Sequence, residues 1–175
     1  MARRPDLVDV WLFRVTAGAA EVLLLHRAPR RVLAGLWQGV SGLIEPGETI
    51  VDAARREVRE ETSFADDAIE AHYHLDYVAE FFWEPADALL TSAYFAFQIA
   101  PGRDPVLSHE HDEFRWLSID AAIEIAVWPG YREGLVRLRD NLLDPDRAPW
   151  FALEIVDPGR LGTLAMQPRG EEGGG

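Results

Sequence analysis

The sequence predicts one domain of the α/β or α+β class, in which strands and helices pack as layers. Its 175 residues fit a single globular domain with a substantial hydrophobic core. Hydrophobic residues make up 48% of the chain and charged residues 27%, a balance typical of folded proteins rather than disordered ones. Predicted strands and helices are intermixed, and neither a repeat nor a linker divides the chain, which indicates a single layered sandwich.

Runs of apolar, aromatic and β-branched residues predict most of the sheet. The first two strands are joined by a short turn at residues 16–20, which predicts a hairpin. Glycines interrupt residues 37–42, so this segment is either a strand end or a tight loop. The predicted strands cover residues 7–15, 21–27, 69–82, 90–99 and 114–117.

Three segments predict helices. The clearest covers residues 49–62, where Thr49 and Asp52 have the spacing of a capping box and a Pro-Gly turn comes just before. Residues 119–126 and 131–143 predict two further helices, which a Trp-Pro-Gly sequence separates.

The end of the chain is harder to assign. Residues 150–156 fit either a strand or an arm that packs on the domain. The last five residues, 171–175, are acidic and glycine-rich, which is typical of a frayed tail. We therefore expect a domain over residues 1–147 and a C-terminal extension over residues 148–175.

Charge and composition exclude several functions. With 17 basic and 30 acidic side chains the formal charge is −13, which disfavours a broad nucleic-acid surface. Every basic side chain is arginine, so the chain has no lysine for a Schiff base or a P-loop. It has no cysteine for disulfides or thiolate chemistry. No apolar run is long enough to span a membrane, and no signal core follows the N-terminus, so we expect a cytoplasmic protein without membrane partners.

Three carboxylates lie together on the helix predicted over residues 49–62. At roughly 100° per residue, Glu57, Glu60 and Glu61 share an arc of roughly 100°. Like charges three and four residues apart repel each other and destabilise a helix. A hard divalent cation that takes oxygen ligands would offset the repulsion, whereas the plainer alternative is a solvated acidic face.

The loop before this helix favours the cation. Gly42 permits close approach of the backbone, which would let a peptide carbonyl complete a metal shell. Glu48 comes just before the helix, where it could bind metal or act as a favourable anion at the positive helix end.

The spacing of these residues resembles the Nudix box. One residue departs from the family pattern, since Ser63 stands where the family usually has a glycine that ends the helix. The resemblance extends over roughly residues 7–143 and implies the Nudix fold, a mixed β-sheet between helices in an α/β/α arrangement. The residues that carry it are Gly42, Glu48, Arg56, Glu57, Glu60, Glu61 and Phe64.

The resemblance implies hydrolysis of a diphosphate bond with Mg²⁺ or Mn²⁺ as cofactor. Glu60 and Glu61 match metal ligands of the family, and Glu57 matches either a ligand or the general base. Arg56 corresponds to a residue that orients a neighbouring carboxylate through a bidentate ion pair. The family's main-chain metal contact corresponds to the Ser41 carbonyl. Glu57, Glu60 and Arg56 are thus candidate catalytic residues.

Family members commonly have another glutamate after the box that acts as ligand or base. Glu110 is our candidate for both roles, with Glu113 in reserve and a solvated loop acid as the alternative. Two histidines, His109 and His111, flank Glu110, so a histidine-based transition-metal site is a further alternative.

Residues outside the box point to the substrate. The segment from Leu36 to Gly42 resembles members that act on dATP-like nucleotides and on dihydroneopterin triphosphate. Arg27, Trp37 and Gln38 are candidate substrate-binding residues. Trp37 would stack on a base or pack in the core, and Arg27 would contact phosphate or lie in a solvated loop.

Three functions remain open. The first is a pyrophosphohydrolase that converts a nucleoside or dihydroneopterin triphosphate to the monophosphate and pyrophosphate. The second is a Nudix hydrolase for another nucleoside diphosphate derivative, such as ADP-ribose or a nucleotide sugar. The third is a non-catalytic module that binds a nucleotide, which is disfavoured because the box keeps all of its carboxylates. Many family members are dimers, so a homodimer is an open expectation.

Overall fold

The fold is described from a computed structural model, which covers residues 4–153. Seven strands and three α-helices follow one another in an intermixed order, as the sequence predicts. The strands are β1 (Leu7–Thr16), β2 (Ala19–Arg27), β3 (Trp37–Gln38), β4 (Val40–Leu43), β5 (Ile69–Trp83), β6 (Ala88–Ile99) and β7 (His111–Ser118). The helices are α1 (Ile50–Thr62), α2 (Ile119–Ile125) and α3 (Pro129–Arg137).

The strands form one mixed sheet in the order β3-β2-β1-β6-β5, with β4 and β7 attached beside β1 and β2. Only the β1–β6 pair is parallel among the described strand pairs. β1 changes its neighbour along its length, because residues 7–10 pair with β4 and residues 13–16 pair with β2. The ambiguous segment at residues 37–42 is thus two short strands, and β4 forms a branch of the sheet next to α1.

Helices cover both faces of the sheet, so the α+β class and the layered sandwich are confirmed. Alternating side chains of a strand point to opposite faces. On β1, Val10 and Leu12 pack in the cluster beneath α1, whereas Trp11 and Phe13 pack beneath α2 and α3. All four are almost fully buried. β1 therefore contributes side chains to the hydrophobic cores on both faces of the sheet.

α1 begins and ends close to its predicted limits. The Thr49 side chain caps it by accepting a hydrogen bond of 3.1 Å from the Asp52 amide. The helix ends at Ser63, which has a left-handed φ of 60°. Glycine usually takes this conformation, but here the Ser63 hydroxyl donates a hydrogen bond to the Val106 carbonyl at 3.1 Å. Ser63 thus keeps the family's helix end without the glycine.

The third predicted helix is shorter than residues 131–143. α3 ends at Arg137 and continues as one wider turn at Leu138–Leu142, which hydrophobic residues anchor in the core. The sequence pattern did not show this change, because the buried Leu135, Leu138 and Leu142 keep the three- and four-residue spacing of an ordinary helix.

The chain then returns to the outer edge of β5. Phe151 accepts a hydrogen bond from the His74 amide, and the Leu153 amide donates one to His72. Tyr73 and Ala152 form an antiparallel bridge. The first part of the segment 150–156 is therefore an arm on β5, and the rest, with the frayed tail, lies outside the described residues. Within residues 4–153 no helix is long and apolar enough to cross a bilayer.

Candidate active site

α1 presents its three clustered glutamates in different surroundings. Glu61 faces the sheet and is 3% exposed, whereas the Glu60 side chain is 60% exposed. The Glu57 carboxylate lies between these extremes and points at β4. The three carboxylates of the acidic face therefore range from buried Glu61 to solvent-exposed Glu60.

β4 approaches α1 so closely that its backbone shapes the site. A Cβ atom at Gly42 would lie 2.0 Å from the Cδ atom of Glu57, so glycine leaves the space that this carboxylate occupies. The Ser41 amide donates a hydrogen bond of 3.3 Å to Oε1 of Glu61. Glu57 and Glu61 of α1 thus both contact the backbone of β4.

Arg56 connects the carboxylates of the loop and the helix. Its guanidinium binds Glu48 in bidentate fashion, with Nε 2.9 Å from Oε1 and Nη2 3.1 Å from Oε2. The same group donates to Oε1 of Glu57 at 2.7 Å and to the Leu43 carbonyl at 2.9 Å. These bonds hold the pKa of the Glu48 carboxyl below its usual value. Arg56 thereby fixes the orientation of carboxylates that an isolated helix would leave mobile.

The negative charges of the two inner carboxylates, Glu57 and Glu61, are destabilised by their surroundings. Burial raises the pKa of Glu57, although Arg56 opposes the shift. Burial raises the pKa of Glu61 well above its usual value, and the neighbouring charge of Glu57 adds to the effect. Oε2 of Glu61 is also a buried oxygen without a hydrogen-bond donor among the described residues. A divalent cation at this point would relieve both problems.

Glu110 approaches the same cluster from the loop before β7. Its carboxylate accepts a hydrogen bond of 2.8 Å from Nη1 of Arg27. Its charge contributes to the raised pKa of both Glu57 and Glu61, which places it in their electrostatic neighbourhood. The reserve candidate, Glu113, instead pairs with Arg115 on its own strand.

All three candidate substrate residues have their side chains engaged by the protein. The Trp37 ring lies 4.8 Å from His26, and the Arg115 guanidinium lies 4.4 Å from its centroid. Gln38 is buried, with its amide 3.4 Å from a ring nitrogen of His111. Arg27 donates a hydrogen bond to Glu110, and its charge also acts on Glu61. Substrate contact by these residues stays a prediction.

The donor set fits a hard cation, although the residues are not yet gathered around a point. Among residues 4–153, no three carboxylate or imidazole groups already stand in a coordinating arrangement. Arg56 holds Glu48 and Glu57, and Arg27 holds Glu110. An oxygen-only set suits Mg²⁺ or Mn²⁺ better than a softer metal.

One buried carboxylate near the site escaped the sequence analysis. Asp9 on β1 is opposite Ser41 in the strand pairing and accepts a hydrogen bond of 2.6 Å from the Ser92 hydroxyl. Burial raises the pKa of Asp9. The signal was present in the sequence, because Asp9 interrupts an otherwise apolar strand, but its partners lie on distant segments.

Fold and site together define a class of protein: an α+β domain whose loop and helix gather carboxylates around one arginine. The family model of the NUDIX domain matches residues 5–138. This chain therefore belongs to the Nudix family, and the resemblance drawn from the box is confirmed. Residues 5–138 form a Nudix hydrolase domain. Enzymes of this class hydrolyse diphosphate bonds, and the family generally uses a divalent metal.

Two relatives are similar over most of the domain. The chain is 34% identical over 118 residues to an octanoyltransferase from Myxococcus xanthus, which covers 67% of this chain and 32% of that protein. The match thus spans only about a third of that relative's length. The chain is 30% identical over 117 residues to an asymmetrical bis(5'-nucleosyl)-tetraphosphatase from Caenorhabditis elegans, covering 66% of this chain and 80% of that protein.

Solved structures show the same fold. A Nudix hydrolase from Listeria monocytogenes superposes with a TM-score of 0.68 at 29% identity, covering 79% of this chain and 94% of that chain. The dihydroneopterin triphosphate pyrophosphohydrolase of Escherichia coli superposes with a TM-score of 0.64 at 26% identity, covering 77% and 94%.

Proposed function

We propose that this protein is a Mg²⁺-dependent pyrophosphohydrolase that converts a nucleoside (dATP-like) or dihydroneopterin triphosphate to the monophosphate and pyrophosphate. The observation that carries the proposal is the oxygen cluster on α1 and its loop, where burial raises the pKa of Glu57 and Glu61 and Oε2 of Glu61 has no hydrogen-bond donor among the described residues. A site that combines mutually repelling carboxylates with a bidentate arginine suits a metal and an anionic substrate.

Ligand roles follow from position. Glu57, Glu60 and Glu61, the Ser41 carbonyl and Glu110 are the groups that would hold Mg²⁺. When bound there, Mg²⁺ supplies Lewis-acid activation of phosphoryl oxygens and of water, and it neutralises developing negative charge. Manganese would serve the same donor set.

The protein's own groups supply orientation and proton transfer. Arg56 keeps Glu57 and Glu48 in place through the hydrogen bonds described above, so the inner carboxylates need little reorganisation when substrate binds. Glu57 and Glu110 are the two candidates to accept the proton of the attacking water. Burial favours Glu57 in this role because it raises the pKa of this carboxyl and makes it a better base.

The substrate class rests on similarity rather than on a bound ligand. The segment from Leu36 to Gly42 and the likeness to the dihydroneopterin triphosphate enzyme favour a triphosphate. The likeness to the worm tetraphosphatase favours a second candidate, a dinucleoside polyphosphate, at a comparable level of identity. ADP-ribose and nucleotide sugars are the remaining diphosphate derivatives.

Product analysis on a substrate panel tests the proposal. The panel contains the canonical NTPs and dNTPs, dihydroneopterin triphosphate, ADP-ribose and a dinucleoside polyphosphate, each with Mg²⁺ and with EDTA. We expect pyrophosphate and a monophosphate from one triphosphate, with loss of both products in EDTA. Turnover of the dinucleotide or ADP-ribose alone would replace the triphosphate assignment, and binding of nucleotide without turnover of any compound would favour a non-catalytic module.

A further inference from the structure

His111 is a buried side chain that the proposed reaction has not used. It is the first residue of β7, and its side chain is fully buried against the inner end of the carboxylate cluster. Its Nδ1 atom lies 3.7 Å from Oε2 of Glu61. Neither of these two atoms has a hydrogen-bond partner among the described residues. Two orphaned polar atoms thus face each other across a gap slightly longer than a hydrogen bond.

The other side of the ring indicates where its proton lies. Nε2 of His111 is 3.4 Å from the side-chain nitrogen of Gln38. An amide nitrogen can only donate, so Nε2 has to accept, and the proton of a neutral ring is then on Nδ1. The Nδ1–H group therefore points at the Glu61 carboxylate.

We propose that His111 is a positioning residue for Glu61, which donates a hydrogen bond from Nδ1–H to Oε2 and leaves Oε1 of Glu61 to face the metal. Gln38 holds the required tautomer by donating to Nε2. A movement of roughly 1 Å would bring the two atoms from 3.7 Å to hydrogen-bond distance. The inference rests on the cation site proposed above, since an ionised Glu61 needs both a metal and a donor.

This geometry speaks against His111 as a metal ligand itself. Nδ1 faces the Glu61 carboxylate and Nε2 faces the Gln38 amide, so neither ring nitrogen points into an open space where it could bind a metal. The ion pair of Arg27 with Glu110 and the hydrogen bond between His26 and Asp112 use other atoms. For His111 we therefore favour a hydrogen-bonded support for an oxygen site over the histidine-based transition-metal site considered from the sequence.

The tautomer can be read without any metal. Nitrogen-15 NMR of the imidazole rings in the metal-free wild-type protein distinguishes a protonated from an unprotonated ring nitrogen. The signals of His111 are assigned by their loss in the variant His111→Asn, since the chain has five histidines. We expect a proton on Nδ1 and none on Nε2. A proton on Nε2 would overturn the inference, because Oε2 of Glu61 would then receive no hydrogen bond from the ring, and only Oε1 would keep its donor, the Ser41 amide.

A second experiment measures the affinity of the protein for Mn²⁺. His111→Asn keeps an N–H donor near the position of Nδ1, whereas His111→Leu fills the space without one. Loss of such a supporting hydrogen bond typically weakens metal binding about 10- to 100-fold. We expect Mn²⁺ titration, followed by electron paramagnetic resonance, to show this loss for His111→Leu and a change of less than about threefold for His111→Asn. Thermal melts measure the stability of both variants.

The outcomes separate the two proposals. Equal Mn²⁺ affinity in wild type and His111→Leu would overturn the positioning role while the metal site stands. Equal losses in both variants would also overturn it, because the donor would then not be what matters. Absence of Mn²⁺ binding in the wild type would refute the proposed metal-dependent function, and the positioning role would fall with it.

Discussion

Gly42→Ala is a substitution of one methyl group that the structure predicts to be severe for activity and mild for folding. The new Cβ would lie 2.0 Å from Cδ and 2.0 Å from Oε1 of Glu57. Ordinary carbon contacts are about 3.5 Å, so the Glu57 carboxylate has to move by roughly 1.5 Å. Arg56 holds that carboxylate at 2.7 Å, so the movement also strains the arginine's hydrogen bonds.

The expected magnitude follows from this displacement. A misplacement of about 1 Å in a catalytic group can lower the rate about 100-fold, so we expect kcat/KM to fall by at least that factor. Gly42 does not have a positive φ, so alanine meets no backbone strain there. The clash is with the end of a flexible side chain, and we expect a loss of only about 1 kcal/mol in the free energy of unfolding.

The assay is pyrophosphate release with Mg²⁺, together with a thermal melt. Gly102→Ala is the matched control, because Gly102 has a φ of +77° and open space around it, which predicts some loss of stability and full activity. In a Glu57→Ala background, Gly42→Ala should have no further effect on rate, because the displaced carboxylate is already gone. A Gly42→Ala enzyme within about threefold of wild type would refute the steric argument.

Three further predictions concern α1 and its surroundings. Arg56→Lys should lower kcat/KM at least about 10-fold, because lysine cannot bind Glu48 in bidentate fashion. Arg59→Lys, on the exposed side of α1, should match wild type. Equal kcat/KM values for the two variants would contradict this prediction. Ser63→Gly should change the free energy of unfolding by less than about 1 kcal/mol, since relief of the left-handed φ is offset by loss of the hydroxyl's hydrogen bond; calorimetry showing a loss above about 2 kcal/mol would contradict it. Burial and a neighbouring guanidinium lower the pKa of His72, so the unfolded chain takes up a proton more readily than the folded one. Stability should therefore fall as the pH drops below about 6.5, less steeply in His72→Phe, and parallel curves from urea unfolding would contradict this.

Local sequence signals predicted the helix of the site well. The cap at Thr49 and the apolar periodicity of α1 are short-range features, and the structure confirms the helix within a residue at its start. The different burial of the glutamates was also within reach of the helical wheel. Glu61 lies next to the apolar sector that contains Ala54 and Val58, whereas Glu60 lies on its far side.

Long-range pairings could not be predicted from the sequence. The hydrophobic pattern of β1 does not show that the strand changes partners from β4 to β2 midway along its length. In the same way, Gln38, Glu61 and His111 meet only because β3, α1 and β7 converge in the folded chain. A neutral buried histidine has no distinctive spacing, so its role emerges only from distances and burial.

The central claim is that the carboxylates of α1 bind the metal that hydrolysis needs. The most direct measurement compares Mg²⁺-dependent product formation by Glu60→Gln and Glu61→Gln with that of Glu124→Gln, an exposed glutamate on α2, with folding verified by circular dichroism. We predict that the first two variants lose at least about 100-fold in rate while the third matches wild type. Unchanged rates in both Glu60→Gln and Glu61→Gln would contradict the assignment of the metal site.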